Sequence, residues 1–537
     1  MKTFYIIVLI FIISIISEKT NAQKWDWAVG FGGKGLERVW DVKVGNSGNI
    51  YITGQYTDTL IVNQHQYPSN GLSDIFLAKF NRNGQLGWVK TYGSKNEDVA
   101  IAIGIDALEN CYITGYFTDT LQIADTNLIA KGGWDLLIIK TDSAGNYHWA
   151  RQIQGTAGEV GYGISVTNEG NAYITGWYQD SVMFHNGYIM HNYGSSDILI
   201  AKYDTYGNLV WAKHAGTSGI EYGYKICSDE YGNCYVTGIA GVANCNFDGF
   251  ILDKAGMFVA KYNANGAIQW AIAGEDASVN DISVEKNGNG FVTGRFIKNA
   301  IFGNDSITSF NNTDDAYIAH FDNNGNWLWA IDIGNNGSDK GRCIENDINL
   351  NAYVGLTYDS TITMNGQTYY TKGAGDILIQ KINSMGEPDW GMNAGGKYDD
   401  VISDITIDTL GNWIVVGWFS DTCYFGNKTI TSSGQSDVNF FIAKISPLSS
   451  DILKYNNDDK CRVYPNPANN ILNIELKDNQ NVPIFFNLFD IYGTETYRSE
   501  IISNNFSIDI SQIKSGVYFY QIVREKNIYK GKVIILK

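Results

Sequence analysis

The chain has 537 residues, 44% of them hydrophobic and 13% aromatic, with 58 glycines and only 6 prolines. That composition supports several packed cores and excludes a disordered polar chain. A net charge of −17 argues against nucleic acid or an anionic membrane as partner, since approach to either adds like-charge repulsion.

Met1 and Lys2 lead into the apolar run FYIIVLIFIISII at 4–16. This run is too short for a membrane span and sits where the h-region of a signal peptide belongs. Thr20 and Ala22 are small residues that set cleavage before Gln23, so a signal peptide is expected over 1–22. No cysteine follows to carry a lipid anchor, and no later stretch reads as a membrane span.

The next stretch, WDWAVGFGGKG at 25–35, places Gly30, Gly32 and Gly35 in the spacing of a dinucleotide loop. That motif needs a strand before it and a helix after it, and no helical pattern follows. A different reading comes from the repeats. Trp27, Trp88, Trp149, Trp211, Trp270, Trp329 and Trp390 recur every 59–62 residues. Between them run GNIYITGQY (48–56), NCYITGYF (110–117), GNAYITGWY (170–178), GNCYVTGIA (232–240), GNGFVTGRF (288–296), NAYVGLT (351–357) and GNWIVVGWF (411–419). A third series runs from DIFLAKF (74–80) to FFIAKI (440–445). These segments are short, rich in β-branched and aromatic residues, and bounded by Gly, Asn and Asp, so they read as strands. An apolar column at Val42, Ile103, Ile164, Ile226, Ile282, Ile344 and Ile405 marks a fourth strand.

Four strands per unit and seven units predict an all-β, seven-bladed β-propeller over 23–446. The last unit lacks its own Trp strand, because SPLSS follows Ile445. Residues 25–30 are therefore expected to supply it, closing the ring and leaving no open edge. Each Trp is followed within a few residues by a Gly, as at Gly93, Gly155 and Gly216, so the opening glycines belong to the repeat.

A polar linker is expected at 447–461, and then a small β-sandwich at 462–537. That segment carries YPNPA at 464–468, Leu472 and Ile474, DIYG at 490–493 and SGVYFYQI at 515–522. It resembles the C-terminal sorting domain of proteins exported by the bacterial type IX secretion system. The resemblance implies that Tyr464, Pro465, Asn466, Pro467, Gly493, Gly516 and Tyr518 form the sorting motif and that the outer-membrane translocon is a partner. It implies a product exported to the cell surface or the extracellular space, usually with this domain removed. The upstream units resemble bacterial β-propeller repeats, a family without one defined activity.

Chemistry is sparse. Neither H-E-x-x-H nor G-x-S-x-G is present, and the six histidines form no ligand set, His185 and His191 included. The turns DSAGN (142–146) and DNNGN (322–326) lack the spaced carboxylates and terminal Glu of a calcium loop, and hairpin chemistry accounts for them. Calcium is the ion these oxygen-rich loops would suit, ahead of zinc at His185 and His191; no metal or other cofactor is expected. Asp74, Asp135, Asp197, Asp315 and Asp376 recur a unit apart, which suits turn-forming side chains better than an acid–base pair. Thr59, Thr120, Ser181 and Ser306 each follow an Asp, as in a bacterial O-glycosylation acceptor; an Asp-led turn explains the same residues. The seven cysteines show no disulfide framework, and buried thiols are expected.

What varies between units locates a surface. Trp40, Tyr116, Tyr162, Trp177, Arg295, Arg342 and Trp418 are expected to meet on one face of the ring, Tyr162 beside Trp177. Aromatics with interspersed Arg suit sugar stacking or a protein hot spot, and packing between blades is the alternative. The sequence is thus read as an exported, non-catalytic propeller that mediates binding or adhesion to a glycan or protein. A glycan-binding accessory in polysaccharide use ranks second, and a propeller lyase or hydrolase third.

Overall fold

The computed structural model describes residues 23–447 except 348, 433, 435 and 436, and residues 461–537 except 477–483, 491–494, 502, 504, 525 and 526. The expected signal peptide, linker residues 448–460 and Gly493 lie outside the described residues. The chain divides into two compact units, one ending at Pro447 and one beginning at Leu448.

In the first unit each sequence repeat folds as antiparallel strands. Glu37–Val44, Ile50–Tyr56, Asp74–Phe80 and Leu86–Tyr92 pair in that order, and the pattern recurs along the chain. The turns behave as their residues require. Asn81 Oδ1 accepts the N–H of Asn83 and of Gln85, and Gly84 takes a φ of +75° that an L side chain resists. Innermost strands pack side by side in chain order, and Glu37–Val44 also lies against Asp400–Ile407. The last repeat's sheet gains its outer strand from the start of the chain. Gln23–Phe31 pairs antiparallel with Val438–Pro447, with Trp27 opposite Lys444 and Gly30 opposite Phe441.

The tryptophan period has a physical cause. The Trp of one repeat lies on the hairpin turn of the next and donates its indole N–H to a turn carbonyl. Trp88 reaches Ser143, Trp149 reaches Thr205, Trp211 reaches Ala264 and Trp270 reaches Asn323, at 2.9–3.3 Å. The turn glycines Gly145, Gly207, Gly266 and Gly325 leave room for the ring. Trp27 packs against Gly84 in the same way, so Gln23–Phe31 continues the series.

One element escaped the sequence reading. Between its second and third strands each repeat projects a two-stranded hairpin, such as Ser181–Phe184 with Ile189–His191. Several of these hairpins pair with the outer strand of the preceding repeat, as Phe184 does with Ile153 and Phe247 with Ala215. They stitch neighbours together with backbone hydrogen bonds.

The second unit is a pair of sheets, with strand orders Cys461–Tyr464, Ile471–Leu476, Asn505–Asp509 and Glu495–Ile501, Ile484–Phe489, Gly516–Arg524, Asn527–Ile535. Leu472, Ile474, Phe486, Leu488, Ile522 and Val533 fill the space between them. Among the described residues no helix is long and apolar enough to cross a membrane. Cys111, Cys227, Cys234, Cys245, Cys343 and Cys423 are free thiols, all but Cys227 buried.

Candidate functional site

Every innermost strand carries a β-bulge, and the extra residues are Trp40, Ile101, Tyr162, Tyr224, Asn280, Arg342 and Ser403. A bulge re-aims one side chain and leaves it outside the ladder. It also forces a carbonyl against the partner strand. A Cβ on Gly54, Gly115, Gly176, Gly238 or Gly294 would lie 1.8–1.9 Å from that carbonyl oxygen, so in these five repeats the bulge accounts for the glycine of the T-G step. The adjoining threonine hydroxyl bonds to the third strand, as Thr175 does to Leu199 O at 2.9 Å. In the sixth repeat the pattern shifts: Gly355 and Leu356 stand where other repeats have Thr and Gly, the bulge at Arg342 is kept, and Thr357 is the counterpart of Trp177.

These bulge residues and the ends of the second strands build one face. Six rings form a continuous run of neighbours: Tyr116, Trp134, Trp177, Tyr222, Tyr224 and Tyr162, with successive centroids 5.4–6.3 Å apart. The run differs from the expectation at two points. Tyr162, the bulged residue, meets Tyr224 of the following repeat edge to face, with centroids 5.6 Å apart, instead of Trp177. Trp177 is only 7% exposed, covered by Trp134 and Tyr222, whereas Trp134 is 41% exposed. Trp134 was not legible because its counterparts Ser73, Ser196 and Asp314 are small or polar.

A second group gathers around the first repeat. The Arg38 guanidinium lies 4.9 Å from the Trp418 ring and 5.9 Å from that of Trp40, while Trp40 Nε1 donates to Gln55 Oε1 at 3.1 Å. Arg295 pairs with Asp314 at 2.7 Å and lines a cleft of about 720 Å³ with Asp276, Ser278, Ile297, Lys298 and Asn299. Arg342 is half-buried near both, and burial lowers its pKa, with Arg295 adding to the effect.

Beneath the bulges lies a central cavity of about 250 Å³ lined by Asp41, Lys43, Lys225, Asp281, Glu345 and Asp404. Its carboxylates are engaged in holding strands. Asp41 accepts Val42 N–H at 2.8 Å and Ile103 N–H of the next repeat at 2.9 Å. Asp281 does the same with Ile282 and Ile344, at 2.9 and 2.8 Å. Lys43 bonds Asp41 at 2.9 Å and stands 3.5 Å from Asp404. Burial pushes Asp404 well up, while Lys43 and Lys225 hold Asp41 low against the same burial.

The other singled-out residues have local roles. Asp142 and Asp322 each accept three or more bonds from their own turns, as hairpin chemistry requires. His185 stacks on Tyr203, and His191 bonds Ser181 Oγ at 2.7 Å. Asp58, Asp119 and Asp180 take φ values of 55–59° at the start of their hairpins, so Thr59, Thr120 and Ser181 share one position. Ser306 does not share it: Lys298 occupies that place in the fifth repeat, and Ser306 stands on the returning strand. In the second unit Asn466 clasps the last strand, donating to Lys532 O and accepting Ile534 N–H, both at 2.9 Å. Tyr518 donates to Lys514 O at 3.0 Å.

Repeated antiparallel sheets set around a common centre define the first unit as a β-propeller. The second unit is a type IX sorting domain: residues 462–536 match the secretion system C-terminal sorting domain family. That domain marks the chain for export to the cell surface or the extracellular space. The chain is 23% identical over 533 residues to an uncharacterized WD repeat-containing protein of Acanthamoeba polyphaga mimivirus, covering 79% of this chain. It spans 38% of that relative's length. Among solved structures, the Dos1 propeller is similar at 7% identity and TM-score 0.37, covering 79% of this chain and 95% of the other. PorZ, a surface component of the type IX secretion system of Porphyromonas gingivalis, is similar at 11% identity and TM-score 0.25, covering 92% and 91%.

Proposed function

We propose that residues 23–447 form a seven-bladed propeller, closed by Gln23–Phe31, that binds a surface or extracellular partner without catalysis. Closure is supported by the pairing of that strand with Val438–Pro447 and by the Trp27 contact to the first repeat's turn. Binding is supported chiefly by the six-ring aromatic run and the cleft at Arg295, on the face built by the bulges. The absence of catalysis is supported by the central carboxylates, whose oxygens hold backbone N–H groups and a lysine. The O-glycosylation reading now rests on Thr120 and Ser181, both exposed at the shared hairpin position.

A glycan-binding accessory is the second reading, favoured by the exposed Trp134 at one end of the aromatic run and by the separate cleft of sugar-sized volume at Arg295. The test is a glycan array and polysaccharide pull-down with the full exported chain, beside Trp134→Ala/Tyr222→Ala. Binding that the double variant loses while remaining folded places a sugar on this face. Undiminished binding in the variant moves the site elsewhere, and no glycan binding leaves a protein partner as the ligand class.

A further inference from the structure

Five junctions between successive repeats bury two carboxyls side by side: Asp74 with Asp98, Asp135 with Glu159, Asp197 with Glu221, Asp315 with Asp339, and Asp376 with Asp400. Partners are always 24 residues apart, and each of the ten is at most 1% exposed. The backbone forces the proximity. The second acid's own N–H donates to the carbonyl just before the first acid, at 2.6–2.9 Å in all five. Two chains in that parallel register present successive side chains next to one another. Gly93, Gly155, Gly216, Gly334 and Gly395 provide the space, for a Cβ on any of them would lie 2.0–2.4 Å from an atom of one of these acidic side chains.

Six of the ten organise a loop with one oxygen, as Asp376 does with Lys372 N–H and Asp400 with Gly396 N–H, while Asp98, Asp135, Glu221 and Asp315 accept through both. That leaves oxygens with no partner among the described residues, including Oδ1 of both Asp376 and Asp400, Oε1 of Glu159 and Oδ1 of Asp339. Two adjacent carboxylates in so dry a place are strongly unfavourable unless a cation or a proton joins them. At most junctions no cation is supplied. Among the described residues the only base within ion-pair distance of the ten is His214, 3.5 Å from Asp197.

The remaining two junctions show what substitutes for the pair. Where the fourth repeat meets the fifth, Gly256 and Ala277 stand in the two positions, so both acids are lost together. Where the last meets the first, Asn439 faces Glu37. A Cβ on Gly32 would lie 2.4 Å from Asn439 Nδ2 and 2.8 Å from Glu37 Oε2, which puts amide and carboxyl at one spot. Asn439 removes one of the two charges there, and burial still raises Glu37 to about 8. The chain's own repeats thus replace one acid by a neutral side chain or remove both.

We infer that each carboxyl pair holds one proton in the folded protein, which relieves the repulsion between the two acids where neighbouring repeats meet. Burial, with the partner carboxyl adding, raises Glu159 and Asp400 to about 8 and Asp339 to about 7; burial raises Asp98 and Asp376 to about 6. The surrounding groups set the order of release. Tyr56 and Thr118 face the first pair, and Gln152, Lys131 and Asp180 the second. His214, Thr217 and Tyr178 face the third. Asp332 and Asp359 crowd the fourth and hold its proton; Lys372, Cys423 and Asp399 face the fifth.

The sign follows from linkage. From about pH 4, where free carboxyls ionise, to about pH 8, the folded chain holds protons that the unfolded chain has released, so stability falls as pH rises. The experiment is thermal unfolding of the full chain from pH 5 to 9, with infrared detection of protonated carboxyl at pH 7. The expected result is a Tm that drops by several degrees or more across the range, with a protonated-carboxyl band present. Asp376→Asn/Asp400→Asn, which removes both acids of the fifth pair, should shrink both. A flat or rising Tm, or no such band in the wild type, overturns the inference. A saturable Tm gain from calcium at pH 9 beyond that of sodium at equal ionic strength also overturns it, assigning the pairs to a cation.

Discussion

Trp149 Nε1 donates to the carbonyl of Thr205, 3.1 Å away and 56 residues along the chain, while Gly207 in the same turn lies flat beneath the indole. One side chain thereby fixes both the position and the turn type of the next repeat. Gly207 has a φ of +78°, and a Cβ there would sit 2.8 Å from the ring. Gly207→Ala therefore combines left-handed strain with a clash and should cost about 2–3 kcal/mol. Trp149→Phe keeps most of the packing and loses the hydrogen bond, for about 1–2 kcal/mol. Urea unfolding of both variants checks the ranking; an unaffected Gly207→Ala would mean that the turn adapts freely.

Trp134 and Trp177 are neighbours 6.3 Å apart with opposite expected phenotypes. Trp177 is covered, so Trp177→Ala should leave a cavity and cost about 3–5 kcal/mol of stability. Trp134 is exposed, so Trp134→Ala should cost about 1 kcal/mol or less and instead weaken partner binding by about 2 kcal/mol, roughly thirtyfold. Unfolding curves and binding isotherms on the same two variants separate the cases. Equal stability losses would show that Trp134 is a packing residue.

Asn466 joins the opening of the sorting domain to its last strand through two hydrogen bonds. Asn466→Ala should remove about 1–2 kcal/mol from that small domain. The full chain should then accumulate before the outer membrane in cell fractionation, with the propeller still folded by limited proteolysis. Asn466→Asp keeps the acceptor for Ile534 and loses the donor to Lys532, so it should give an intermediate export level. Normal export of Asn466→Ala would leave the clasp without a role in sorting.

The parts of the fold that the sequence reveals are those under a constraint repeated seven times. The Trp strand, the T-G step and the left-handed turn Gly each answer a contact that recurs between or within repeats, so they stand out as columns. The hairpin after the second strand was missed because its strands are only three or four residues long and its loop varies, as in Cys245–Phe247 and Phe250–Leu252. The binding face was half legible. Bulge positions vary against a fixed background, which marks them, yet whether Trp177 is open depends on Trp134, a residue from a different repeat that obeys no period. The carboxyl pairs were visible only on their third-strand side. Their 24-residue partners become meaningful once the parallel register brings them together.

His320 occupies the place where Lys79, Lys140, Lys202 and Lys261 lay an ammonium over a tyrosine ring. Here the tyrosine is replaced by Phe291, stacked 4.2 Å from the imidazole, and Trp329 lies 5.3 Å away on centroids. The ring is 5% exposed and neither nitrogen has a partner among the described residues, so burial lowers its pKa to about 4. The consequence is opposite in sign to that of the carboxyl pairs. As pH falls from about 6.5 to about 4 the unfolded chain takes up a proton that the folded chain refuses, and stability drops by up to about 2–3 kcal/mol. His320→Phe removes this term and leaves the carboxyl pairs alone. The stability gap between variant and wild type should therefore widen in the variant's favour between pH 7 and pH 4.5, measured by urea unfolding at each pH. A gap that stays constant would show that the imidazole titrates normally and that Phe291 and Trp329 do not seal it from water.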